Sequence, residues 1–132
     1  MYYAHTHPKR PPEEWDPLME HSERTAALAA EFCRAFGAAE AGRLAGWRHD
    51  LGKYQPEFQK YLLKNAEAGH TETGRGGPPH SIVGAYHAWS SGHTELGMAI
   101  QGHHGMLHAY GDFVNQGCRE GERLKPSSIL SV

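Results

Sequence analysis

The stretch DPLMEHSERTAALAAEFCRAFG, Asp16 to Gly37, decides the fold class. Asp16 is a residue type that caps free helix amides, and Pro17 behind it lacks an amide to strand at a first helical position. Leu18, His21, Thr25, Leu28, Ala29, Phe32 and Phe36 then recur at spacings of three and four, the period of one helical stripe. Gly37 is a suitable stop. The pattern predicts a long amphipathic helix with His21 on its buried face.

The same logic extends outward. Ala38 to about Leu51 is Ala-rich and predicts a second helix, with Leu44, Ala45 and Trp47 available for packing and His49-Asp50 in its last turn. Pro56 opens a third helix carrying Phe58, Tyr61 and Leu62. Gly69 to Pro79 gathers glycine and proline and predicts a mobile loop. Two shorter helices follow over Ser81–Trp89 and Glu95 to about Gly102. From Gly105 to Val132 only Phe113, Val114, Leu124, Ile129 and Leu130 stand as scattered apolar anchors. No segment alternates as a strand does. The expected class is all-α, a helical bundle with a site between its helices.

With 132 residues the chain fits one domain, residues 1–132. Lys plus Arg number 13 against 15 Asp plus Glu, so the net charge of -2 gives no electrostatic hold on a polyanion by itself. Cys33 and Cys118 form no CxxC pair, which argues against a disulfide framework or a thiolate zinc site and suits a reducing cytoplasm. Met1 to Pro12 lacks an apolar leader, and no apolar run approaches the roughly 18 residues of a membrane span. The compositional anomaly is 11 histidines.

Five pieces of the chain answer that excess: His21, the run HDLGK from His49 to Lys53, His80, and the pair His103-His104. Imidazoles ligate borderline transition metals, and one carboxylate can span two cations. Asp50 is the candidate bridge of a centre for up to two divalent ions, Mn, Fe, Co or Ni, with Mg also admissible. Such a centre holds a hydroxide nucleophile and a phosphoryl oxygen. Lys53, three residues after Asp50, points to the same side if the helix continues through Gly52, and would contact the scissile phosphate. Each piece alone has a plainer reading: a satisfied core histidine for His21, a loop turn for His103-His104, a solvated charge for Lys53. Their agreement in one short chain reverses the balance. His5, His7, His70, His93 and His108 sit in polar or Gly/Pro-rich context and are expected in loops or at the surface. His87, seven residues after His80, is a core residue or an orienter of a ligand.

The chain resembles the HD superfamily, and within it the HD nuclease domain of the CRISPR-associated helicase-nuclease. The resemblance rests on Ala4-His5-Thr6, Trp15 to His21, HDLGKYQPEFQKYL from His49 to Leu62, HSIVGA from His80 to Ala85, and GHHG from Gly102 to Gly105. It covers about residues 1 to 107, with Phe58-Gln59 its most diagnostic pair. It implies His21, His49 and Asp50 at one metal, and Asp50, His80, His103 and His104 at the other, with Lys53 on the substrate. It also implies single-stranded DNA as substrate, cleaved in CRISPR interference. The implied partners are a CRISPR helicase, on a separate chain or a missing domain, and an RNA-guided surveillance complex.

One departure accompanies the resemblance. The family pattern ends with a further metal-binding Asp on a later helix, whereas this sequence has only Asp16, Asp50 and Asp112. The expectation is a C-terminally truncated form lacking the last helices, weakly active or inactive, with an exposed apolar face that favours self-association. An HD phosphohydrolase of small nucleotides and a catalytically weak docking module are the alternatives.

Overall fold

Pro17 leads directly into α1 (Leu18–Arg34), and Asp16 does not cap it. Asp16 instead belongs to β2 (Asp16–Pro17), which pairs antiparallel with β1 (Tyr3–His5), so that His5 lies opposite Asp16. This ribbon is the one sheet among the described residues. It is too short for an alternating pattern to show in the sequence. The computed structural model describes residues 1–7, 9–67 and 77–124; His70, most of the expected loop, and Ile129 and Leu130 lie outside them.

The remaining elements follow the expected order. They are α2 (Ala39–Arg48), a 3₁₀ turn (Leu51–Tyr54), α3 (Pro56–Glu67), α4 (Ser81–Ser90) and α5 (Thr94–Gly102). α1 ends where Gly37 takes a φ of +73, which a residue with a side chain adopts only under strain. A last helical run was not expected: α6 (Tyr110–Asp112), a π segment (Phe113–Cys118) and α7 (Arg119–Leu124) succeed one another without a break. The architecture is all-α, and no described helix is long and apolar enough to cross a membrane.

The expected stripe on α1 is corrected in part. Leu18, Ser22, Ala26 and Ala30 form the buried face, while Leu28, Phe32 and Phe36 point outward, Phe32 and Phe36 each 72% exposed. The reason lies in α2. A Cβ on Gly42 would fall 2.8 Å from the Ala29 carbonyl carbon, and one on Gly46 would fall 2.5 Å from the Ala26 Cα. The two helices meet backbone to backbone over small residues, a contact that excludes Phe. Trp47 is displaced outward with them, and Gly42 and Gly46 take the buried places on α2.

Two apolar clusters flank the helix ends that carry the histidines. Trp15, Phe58 and Leu62 form one, with Tyr3 and Tyr61 against it; Ala85, Ala88, Ile100, Phe113 and Cys118 form the other. Leu18, Leu62, Ile100 and Phe113 are the largest fully buried side chains, each contributing about 1.5–3 kcal/mol by leaving water. Phe113 ties the C-terminal run to α4 and α5.

Candidate metal centre

Four element ends converge on one carboxylate. His49 closes α2, Asp50 opens the 3₁₀ turn, His80 opens α4 and His103 closes α5, while His21 reaches in from the first turn of α1. Helix 2 thus ends a little earlier than its composition suggests, and the break at His49-Asp50 is what turns Asp50 inward. The close packing that sets this arrangement is again glycine-dependent. A Cβ on Gly52 would lie 2.6 Å from the His80 Cα, so the HDLGK turn and the start of α4 touch through their main chains.

Asp50 is buried, and its two oxygens face different partners. Oδ2 has His49 Nε2 at 3.1 Å, His21 Nε2 at 3.2 Å and Lys53 Nζ at 3.1 Å. Oδ1 has His80 Nε2 at 3.4 Å and His103 Nε2 at 3.7 Å, and it makes no hydrogen bond. His104 extends the second group, its Nε2 2.8 Å from His80 Nε2 on the exposed side. The pieces singled out in the sequence, His21, His49, Asp50, Lys53, His80, His103 and His104, are therefore all brought together.

The far side of each ring fixes its tautomer. His49 Nδ1–H donates to the Gly46 carbonyl at 2.7 Å, His103 Nδ1–H to the Ile100 carbonyl, and His21 Nδ1–H to Asp16 Oδ2 at 3.2 Å. Each Nε2 then presents a lone pair toward Asp50. His21 and His49 Nε2 stand 3.2 Å apart. Acceptors aimed at acceptors repel unless a cation lies among them, and the single charge of Lys53 serves only Oδ2. Ligand atoms held at about 2 Å around one ion sit about 3 Å apart, the spacing seen here. Asp50, His80, His103 and His104 each offer an atom within 4.8 Å of the others. The residues fit divalent cations.

Electrostatics agree. Burial alone would raise the Asp50 carboxyl, but with no cation in place it is ring N–H donation from His103, His21 and His49, the opposite tautomer to the metal-binding one, together with the Lys53 ammonium, that outweighs burial and holds the group far below the usual carboxylate range. His80 is pulled down to about 4, by burial first and then by Lys53, His104 and His103 against the opposing pull of Asp50. It is neutral at pH 7, as a ligand must be. His104 is lowered for the same leading reason.

Several placements differ from the sequence reading. Lys53 is 3% exposed, and its ammonium goes to Asp50 and to the Ala4 carbonyl at 2.9 Å, facing the interior of the site. It does share a side with Asp50, through a 3₁₀ turn in which residues three apart stack. His87 is half-buried on α4, and its pKa is lowered by burial and then by Arg48. His7, His93 and His108 are exposed, as their polar or Gly/Pro-rich context predicts. Asp112 is exposed in α6.

Two roles are not read from the sequence, although the resemblance singles out Phe58-Gln59. Asp16, read as a helix cap, orients His21 across a strand-to-helix junction where no period applies. Gln59 locks the site's outer edge: its amide accepts from Tyr3 N at 2.9 Å and donates to the carbonyls of Tyr3 at 2.9 Å and Lys53 at 2.8 Å. Phe58 packs edge-on against His80, ring centroids 5.0 Å apart, with the Lys53 ammonium 5.6 Å from its ring centre. The Phe58-Gln59 pair thus braces both halves of the cluster. A family model described as HD domain matches residues 18–131. Comparison with curated proteins and with solved structures returns no match.

Proposed function

The chain belongs to the HD domain family, one of metal-dependent phosphohydrolases, and from that premise we propose that it is a nuclease hydrolysing phosphodiester bonds in single-stranded DNA. The observation that carries this reading is the division of imidazole nitrogens between the two oxygens of Asp50. In this reading His21, His49 and Asp50 would hold one divalent ion, and Asp50, His80, His103 and His104 the other, with Mn, Ni, Co or Fe favoured by an imidazole-rich donor set; bound there, they would supply Lewis acidity and a water of lowered pKa.

The chain's own residues do the positioning. Asp16 and the Gly46 and Ile100 carbonyls keep three Nε2 lone pairs turned inward. Lys53 balances the buried charge of Asp50 and, if it leaves the Ala4 carbonyl, can reach a phosphate oxygen. His104 and its contact with His80 lie on the open side of the cluster, which suits a strand laid along the surface. The motifs HDLGKYQPEFQKYL, HSIVGA and GHHG support a place in CRISPR interference. There a helicase and an RNA-guided complex in the cytoplasm deliver displaced DNA and supply the positive surface that a net charge of -2 lacks.

Protein stripped of metal and reloaded separately with manganese, nickel or magnesium would be incubated with labelled single-stranded DNA and, in parallel, a nucleoside monophosphate, beside Asp50→Ala. DNA cleavage that requires both metal and Asp50 is the expected result. Phosphate release from the monophosphate alone would redirect the reading to small nucleotides, and bound metal with no turnover of either would leave a docking module.

A further inference from the structure

We infer that His5 is a donor of the metal centre on the Oδ2 side of Asp50, an inference that rests on the metal-centre reading above. His5, His21 and Asp50 each offer one ligand atom within 4.8 Å of the others. This group and the group Asp50, His80, His103 and His104 share Asp50 and no other residue. The group on the Oδ1 side has three imidazoles, His80 and His103 facing Oδ1 and His104 against His80, whereas Oδ2 faces two, those of His21 and His49. His5 is the third imidazole for that side.

The backbone delivers it there in an ordered way. β1 carries His5 and is fastened on both flanks: Gln59 bonds both the amide and the carbonyl of Tyr3, and the Lys53 ammonium takes the Ala4 carbonyl. The β1–β2 pairing sets His5 opposite Asp16, whose carboxylate in turn holds His21. The His5 and His21 rings meet edge-to-face with centroids 5.0 Å apart. His5 and Asp16 precede the span matched by the family model, residues 18–131; both lie in stretches that carry the resemblance, which gives neither a ligand role, so the assignment of His5 stands on this geometry. A third imidazole adds a neutral donor, which favours a borderline first-row divalent ion over magnesium.

The test is titration of the full metal-free chain with cobalt(II), followed by visible absorption and by metal counting, for the wild type, His5→Ala, His5→Gln, His5→Asp and His80→Ala. The wild type binds two equivalents. His5→Ala and His5→Gln each weaken one equivalent at least about tenfold and change its visible bands, leaving the other as it was. His80→Ala weakens the complementary equivalent. His5→Asp, which puts back an anionic donor, recovers part of the loss. Circular dichroism of His5→Gln checks that β1 has not simply come away. Two equivalents bound by His5→Ala and His5→Gln with wild-type affinity and spectrum would overturn the assignment of His5 while leaving the centre intact. A wild type that takes up no cobalt would instead sink the metal centre itself.

Discussion

Replacing Gly52 with alanine should separate the two halves of the centre. The added Cβ would sit 2.6 Å from the His80 Cα and 2.7 Å from its carbonyl carbon. Ordinary contact begins at 3.4 Å, so the shortfall is at least about 0.8 Å, the His80 carbonyl oxygen being nearer still, and because both sides are main chain no rotamer relieves it. Overpacking of this kind costs typically about 1–3 kcal/mol. The displacement falls on His80, whose Nε2 is 3.4 Å from Asp50 Oδ1, and a misplacement near 1 Å at a reactive site costs on the order of 100-fold. Urea denaturation of Gly52→Ala should therefore show a loss of about 2 kcal/mol. Manganese titration of the folded fraction should show the equivalent associated with His80 weakened at least tenfold, and the other less so. A variant with wild-type stability and wild-type affinity at both equivalents would refute the claim that this main-chain contact sets the site.

Three further outcomes follow from the geometry. Leu18→Ala, at a fully buried position, should cost about 2–5 kcal/mol, whereas Phe32→Ser on the outward face should change stability by no more than about 0.5 kcal/mol; equal costs in denaturant melts would restore the broader apolar stripe. For metal-free protein, the unfolded chain takes up a proton at His80 below pH 6.5 that the folded chain refuses until about 4. Stability present above pH 6.5 is thus lost as the pH falls to about 4, by roughly 3 kcal/mol at the limit, and Asp50 acts in the same direction at lower pH; a flat profile in chelator-treated melts between pH 7 and 4 would contradict this. Asp16→Asn removes the carboxylate that orients His21 while keeping its volume, so metal affinity should fall about tenfold or more with little loss of fold, as read by paired calorimetry and circular dichroism.

The helices were legible because periodic apolar spacing and Gly or Pro punctuation coincide at the ends of α1, α3 and α4. The cluster was legible because its ligands are types with few other reasons to occur together. What stayed hidden is tertiary. Spacing alone predicts that Phe32 and Phe36 are inside; only the approach of Gly42 and Gly46 shows that the α1–α2 contact has no room for them. The run from Tyr110 to Leu124 contains Gly111, Gly117 and Gly121, which lower helix propensity. Yet a Cβ on Gly121 would fall 2.8 Å from the Ile82 carbonyl oxygen, so that glycine is a packing choice against α4. Asp16 and His5 escaped because their partners lie across a five-residue ribbon and a strand-to-helix junction, where no spacing rule connects them to His21.

If Asp50 bridges two cations, anomalous diffraction from crystals soaked in manganese should show two peaks about 3.5–4 Å apart, one beside Oδ2 near His21 and His49 and one beside Oδ1 near His80, His103 and His104. A single peak, or peaks away from Asp50, would contradict that bridge.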